Sequence, residues 1–354
     1  MREDDVPVKL FVAACILFIV LSVTLFESAN TRSLLLTKEQ TQGGENIFPC
    51  HHVPGMLANA TTPWEVNRLR RKLALVDPLC MEEHFQIFAQ AFRTRHGQSM
   101  KQLHLHVPKA GGTTLCSLAK ENGLYHGKDN CWEPHGSPFW FWGEQWFRKN
   151  NVSMEYSCQD LLKSPNQLMM NENFLDFPLC PQRAYAINVR EPVSRAISHV
   201  NHLLHKSPAV RNENNQDMNV ILDLVQSNYM TWSLTAGRYT NSSQAKRFRP
   251  CKEDVWLAQD VLSGFDFILD WWFESQSGAC QSAILHFMGM KDVQVKMANA
   301  ADPKYKADFS KNSYEMMNAL DTQVYEAALK WMEVDCDFFL RLHLGAETAS
   351  DVAP

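Results

Sequence analysis

QLHLHVPKAGGTTLCSLAKE, residues 102–121, is the stretch from which the fold can be read. Its first six residues alternate in polarity as a short strand does, and residues 113–121 carry the apolar spacing of a helix. Between them PKAGG forces a sharp turn. Gly111 and Gly112 let the backbone bend and bring its N–H groups close to an anion. Thr113 and Thr114 add hydroxyl donors at a helix start, where the dipole favours negative charge. Lys109 adds a positive charge on a flexible stem. Strand, turn and helix together make an anion-binding unit. It is not a Walker loop, because Lys109 precedes the glycines and the chain holds no Gly-Lys-Ser/Thr.

The same pattern returns at residues 184–189 (AYAINV), followed by Arg190-Glu191-Pro192 and a helical pattern to about residue 205. Pro192 suits the first helical position, where a missing N–H is no loss. Working outward, residues 64–75 and 81–92 read as amphipathic helices upstream. Downstream, residues 217–235, 253–262, 276–287 and 313–342 read as helices, and 265–269 (FDFIL) as a buried strand. Residues 130–180, rich in Trp, Pro and Cys, do not resolve into elements. Strands alternating with helices imply an α/β fold with a central parallel sheet covered on both faces.

The amino-terminal region has a different character. Residues 10–26, LFVAACILFIVLSVTLF, form a run without charge. At 1.5 Å per residue it reaches about 25 Å, enough for a thin secretory membrane. The run exceeds the apolar core of a cleaved signal peptide, and Glu-Ser-Ala-Asn after it is a poor cleavage site, so an uncleaved signal anchor is expected. Nearby basic residues tie across the span. The orientation instead follows from three sequons beyond it, at Asn59, Asn151 and Asn241, and from nine of the ten cysteines, which suit an oxidising lumen. The expected organisation is a cytosolic tail (1–9), the span (10–26), a polar stem (27–62), a catalytic domain (63–345) and a short tail (346–354). Nine is odd, so at least one lumenal thiol should be unpaired or bonded to another chain. Cys116, behind the turn, is the expected one, leaving Cys50, Cys80, Cys131, Cys158, Cys180, Cys251, Cys280 and Cys336 for up to four bridges. No CxxC pair or zinc-like spacing occurs. A formal charge of −5 argues against nucleic acid as a partner.

Residues 106–114, HVPKAGGTT, resemble the 5′-phosphosulfate loop of the Golgi membrane-bound carbohydrate sulfotransferase family, in particular its heparan sulfate 2-O- and 6-O-sulfotransferase group. That loop runs approximately H-x-P/Q-K-T-G-G-T-T, with Ala110 here at the usual threonine. Residues 188–198, NVREPVSRAIS, are similar to the family's 3′-phosphate segment, R-D/E-P-V-x-R-x-x-S. Residues 228–237 and 265–270 agree more loosely, and Trp232 stands where relatives often carry arginine. The resemblance covers roughly residues 100–340. It implies a P-loop-like three-layer fold and O-sulfation of a glycan in the Golgi lumen by a single-pass type II membrane protein. The sulfuryl donor is 3′-phosphoadenosine 5′-phosphosulfate (PAPS), without a metal. Lys109, Gly111, Gly112, Thr113 and Thr114 would hold the 5′-phosphosulfate, and Arg190 and Ser198 the 3′-phosphate. Lys109 would also neutralise charge on the departing oxygen.

Transfer to an alcohol needs a base as well. Relatives use a histidine or glutamate presented between the two nucleotide segments. His135, in WEPHGSPFW, is the preferred candidate, a loop histidine among aromatics. His126, His106, Glu133 and Glu155 are the alternatives. His199, His202 and His205 recur every three residues and read as a solvated helix face. The aromatic run at residues 139–142 suits either sugar stacking or core. Three other functions compete with glycan sulfation: sulfation of protein tyrosine or another secreted alcohol, a kinase lacking the usual lysine position, and a silent membrane-anchored nucleotide-binding protein.

Overall fold

The computed structural model describes residues 50–96, 100–132, 162–175, 179–206, 227–239, 248–272, 278–291 and 311–350. The chain divides into two units, residues 1–53 and 54–354. The fold that follows is that of the second. The apolar run at 10–26 lies outside the described residues, among which no helix is long and apolar enough to cross a membrane. Asn151 and Asn241 also lie outside them, whereas Asn59 is exposed at the end of a helix.

Among the described residues four strands form one parallel sheet: β1 (Lys101–His106), β2 (Leu168–Asn171), β3 (Arg183–Asn188) and β4 (Phe267–Leu269), in the order β2-β1-β3-β4. Leu105 pairs with Asn171, His106 with Asn188, and Asn188 with Leu269. Nearly every strand residue is buried, as expected when helices flank a parallel sheet. β1 lies inside the sheet. From it the chain returns at β2 on one side, then crosses to β3 on the other. In open α/β sheets such a reversal leaves a crevice at the carboxyl ends of the strands.

The flanking helices are α1 (Val53–Asn59), α2 (Pro63–Val76), α3 (Pro78–His96), α4 (Gly112–Glu121), α5 (Pro192–Lys206), α6 (Tyr229–Tyr239), α7 (Lys252–Ser263), α8 (Ala279–Phe287), α9 (Lys311–Met317) and α10 (Ala319–Ser350). Pro63 opens α2, and the Glu65 carboxylate accepts the Thr62 N–H at 2.8 Å, closing its first turn. Arg71 of α2 is fully buried. Its Nε and Nη2 donate to the two oxygens of Asp335 on α10, and its Nη1 to the carbonyls of Ser263 and Phe265. One side chain thus joins α2 and α10 to the end of α7 and the turn before β4. The main core gathers Leu103 and Leu105 of β1, Ile187 of β3, Ile268 of β4, Tyr229 and Leu234 of α6, and Val324 and Ala328 of α10.

Three expectations change. The single helix expected over 313–342 is two helices separated by Asn318. That residue's Nδ2 donates to the Tyr314 carbonyl while its Oδ1 accepts from Arg195 Nη2. The histidines of α5 do not share one solvated face: His199 is buried, His202 half-buried and His205 exposed. Cys116 is not the unpaired thiol. It is bonded to Cys131 with an S–S distance of 2.06 Å, and the free cysteine among the described residues is the exposed Cys251. Cys280 is bonded to Cys336, and Cys50, Cys80 and Cys180 are also oxidised. The Cys131 carbonyl accepts the Met170 N–H, so the Cys116–Cys131 bond connects α4 to β2. Replacing both with serine should cost about 3 kcal/mol in chemical unfolding, the chain-entropy value for a loop of this length. An unchanged unfolding midpoint would show that the bridge contributes nothing.

Candidate functional site

The carboxyl ends of all four strands converge on the turn after β1. Its backbone is held from beneath. Ala110 is fully buried, and its N–H donates to the Val107 carbonyl. Its own carbonyl accepts Asn188 Nδ2 at 3.4 Å, while Asn188 Oδ1 meets His104 Nε2 at 3.0 Å. With the amide oxygen as acceptor, His104 carries its proton on Nε2. Burial lowers its pKa to about 4, so the ring is neutral.

The two glycines are required for different reasons. Gly111 caps α4 at φ +94°, and a Cβ there would lie 2.1 Å from Trp271 Cδ1. At Gly112 a Cβ would lie 2.1 Å from His106 Cδ2. Neither place has room for a methyl group. Lys109 also takes a left-handed backbone, φ +67°, uncommon for a residue with a Cβ. The first bond of α4 runs from the Leu115 N–H to the Gly111 carbonyl. The N–H groups of Gly112, Thr113 and Thr114 therefore point out of the helix start. Thr113 is half-buried and Thr114 buried.

Arg190 follows β3, and its Nη1 donates to the Lys109 carbonyl at 3.0 Å, joining the two sequence-predicted segments directly. Its guanidinium lies 4.1 Å from the centre of the Trp272 ring. Partial burial lowers its pKa, and the carboxylates of Asp270 and Glu191 oppose that. Asp270 is itself held by the Trp272 N–H and the Tyr325 hydroxyl, each at 2.8 Å. Glu191 turns the other way and accepts the N–H groups of Val193 and Ser194, capping α5. Ser198 lies half-buried on α5, in its second turn. Arg195 of the same segment is buried, close to the Tyr229 ring and Asn318.

The sheet's other side contributes a residue that sequence reasoning missed. Glu172 directly follows β2, one step beyond the Leu105–Asn171 pair, which sets it beside His106. Its carboxylate Oε2 is 3.8 Å from His106 Nδ1, and both side chains are about 7% exposed. Burial pushes the Glu172 carboxyl up to about 8, while the charge of Lys109 pulls it down. His106 is lowered to about 3 by burial, then by His104 and Lys109. At neutral pH an uncharged acid therefore sits beside an uncharged imidazole, within the field of a lysine. The sequence signal was the buried run LMMN ending in Asn-Glu-Asn, within the stretch left unassigned.

The remaining base candidates fall elsewhere. His126 is exposed, and its N–H donates to Asn166, just before β2 begins. That is the amino end of the sheet, opposite the turn. His135, Glu133, Glu155 and the aromatic run at 139–142 lie outside the described residues. Trp232 is buried edge-on against Phe174, a core position.

Fold and site thus define an α/β protein in which basic side chains and the buried carboxyl of Glu172 converge at the strand ends of a parallel sheet. Comparison with protein-family models, with characterised proteins and with solved structures finds no match to this chain.

Proposed function

We propose that this chain is a PAPS-dependent sulfotransferase acting on a glycan hydroxyl in the Golgi lumen, with a P-loop-like nucleotide site. The observation that carries the reading is the hydrogen bond between Arg190 and the Lys109 carbonyl. It joins the two segments that resemble PAPS-binding motifs into one crevice at the sheet's reversal. The amides of residues 112–114, the Thr113 and Thr114 hydroxyls and Lys109 receive the 5′-phosphosulfate. Arg190, with Ser198 on the following helix, takes the 3′-phosphate, and the ring of Trp272 keeps the guanidinium in place.

In the reaction, an acceptor hydroxyl oxygen forms a bond to sulfur as the bond from sulfur to the bridging oxygen breaks. The hydroxyl proton passes to a base, and the nucleotide leaves as adenosine 3′,5′-bisphosphate (PAP). Lys109 neutralises the charge that grows on the departing oxygen. Glu172 takes the role for which His135 is the sequence candidate. It is buried, lies at the end of the strand next to the loop, and has a pKa close to the working range of a general base. A carboxyl kept at a cost in so dry a place supports catalysis over silent binding. The acceptor class, a carbohydrate hydroxyl, rests on the resemblance carried by residues 106–114 and 188–198. The uncharged run at residues 10–26 and the three sequons support a site of action in the secretory lumen.

The test is transfer of labelled sulfate from PAPS by the full-length chain in detergent, offered glycosaminoglycans, neutral glycans and tyrosine peptides. Sulfated glycan is the expected product. Sulfated peptide alone would move the acceptor to tyrosine, and tight PAP binding without transfer to any acceptor would support the silent alternative.

A further inference from the structure

Trp271 has no part in the roles assigned so far, yet it stands against the centre of the phosphate loop. It follows β4 by two residues, and the edge of its five-membered ring occupies the space a side chain at position 111 would need. A Cβ on Gly111 would lie 2.1 Å from Cδ1 and 2.4 Å from Nε1. It is the polar edge of the indole, then, that meets the residue capping α4. The Nε1–H is shielded from solvent and has no hydrogen-bond partner among the described residues. Buried tryptophan N–H groups ordinarily find an acceptor. The surroundings here are rich in donors instead: the first-turn amides of α4, Lys109, and Arg190 bonded to the Lys109 carbonyl. An acceptor brought by a ligand would complete the set.

We infer that Trp271 is a further ligand-binding residue, whose indole N–H donates to a non-bridging phosphate or sulfuryl oxygen of the nucleotide held on the loop. The inference rests on the PAPS reading for the identity of that nucleotide. It also gives Gly111 a second purpose. The left-handed turn there could tolerate asparagine on backbone grounds alone, but only glycine leaves room for the indole to reach the loop.

A packing role and a donor role are separated by Trp271→Phe, which keeps an aromatic ring and removes the N–H. Titration calorimetry with PAP should show binding about tenfold weaker than wild type, as for loss of one hydrogen bond to a charged group. The melting temperature without ligand should barely change, because the N–H has no partner to lose among the described residues. Trp271→His, which restores a ring N–H, should recover part of the affinity. In protein labelled with 15N at tryptophan, the Nε1–H resonance missing from the variant should move downfield when PAP is added to wild type. Equal affinity in wild type and Trp271→Phe, with that resonance unmoved, overturns the inference. So does a lowered melting temperature with unchanged affinity, the mark of packing alone. Inorganic pyrophosphate serves as a second probe in both proteins. Wild-type binding of pyrophosphate but not PAP would defeat the PAPS reading, and Trp271 would then be judged on pyrophosphate. Binding of neither defeats both.

Discussion

Replacing Glu172 with glutamine should lower turnover by about 10²–10⁴-fold, the usual contribution of a general base, while PAP affinity should stay within about twofold. Glutamine keeps the size of the side chain but cannot accept a proton. The wild-type pH profile carries a further signature. With the carboxyl at about 8, roughly a tenth of the molecules are ionised at pH 7 and nine-tenths at pH 9. Steady-state kcat/KM should therefore climb about tenfold over that interval, a limb absent from Glu172→Gln. Stability should move the opposite way. The folded carboxyl keeps its proton up to about 8, whereas the unfolded one releases it near the ordinary value of 4.5. Between those values the folded state binds more protons, so stability falls as pH rises through the window. In Glu172→Gln that fall disappears, and denaturant unfolding at pH 9 should find the variant more stable, by up to about 5 kcal/mol. His135→Ala is the matched control. A loss of turnover there, with a normal rate in Glu172→Gln, returns the base to His135.

The contrast between Glu172 and Lys109 shows what a sequence of this kind can and cannot disclose. The turn after β1 and the segment around Arg190 are short, and their chemistry depends on residues adjacent in the chain. Gly111 and Gly112 announce a bend, and Pro192 a helix start, whatever surrounds them. Glu172 has no such local mark. β2 is only four residues long, and its apolar run LMMN follows a stretch without period. Only the pairing of Leu105 with Asn171, across more than sixty residues, sets Glu172 beside His106. Trp271 is legible as an aromatic after a strand, but its position against Gly111 depends on β4 pairing with β3. The expected free thiol failed for the same reason. Cys116 lies on the helix in the expected place, but its partner Cys131 is brought back by a turn the sequence did not reveal. Periodicity likewise extended through Asn318, because helical spacing does not register the bond from Arg195 that fixes the break.

Lys109→Ala should lower turnover by about 10³-fold, at the upper end of what losing one transition-state charge contact costs, and should weaken PAP binding as well. The fold should survive. The lysine is half-buried, and alanine at φ +67° faces the same backbone cost that lysine already bears. What separates this variant from a merely damaged loop is its effect on the residue opposite. The Lys109 charge holds the Glu172 carboxyl below the value that burial alone would impose. Removing it must raise that carboxyl further, so the alkaline limb of kcat/KM should shift to higher pH in Lys109→Ala. A loop that had simply lost its shape would lower the whole profile without displacing it. The same reasoning predicts non-additivity: with Glu172 already glutamine, removing Lys109 forfeits the leaving-group effect but no longer perturbs a base, so the double variant falls short of the product of the two losses. Lys109→Arg tests whether charge alone suffices. The rigid guanidinium cannot follow the single oxygen that an ammonium pairs with, so it should restore the position of the pH limb without restoring turnover. Wild-type turnover in Lys109→Ala would remove the lysine from the leaving-group role, and a limb that stays in place would remove it from any influence on Glu172.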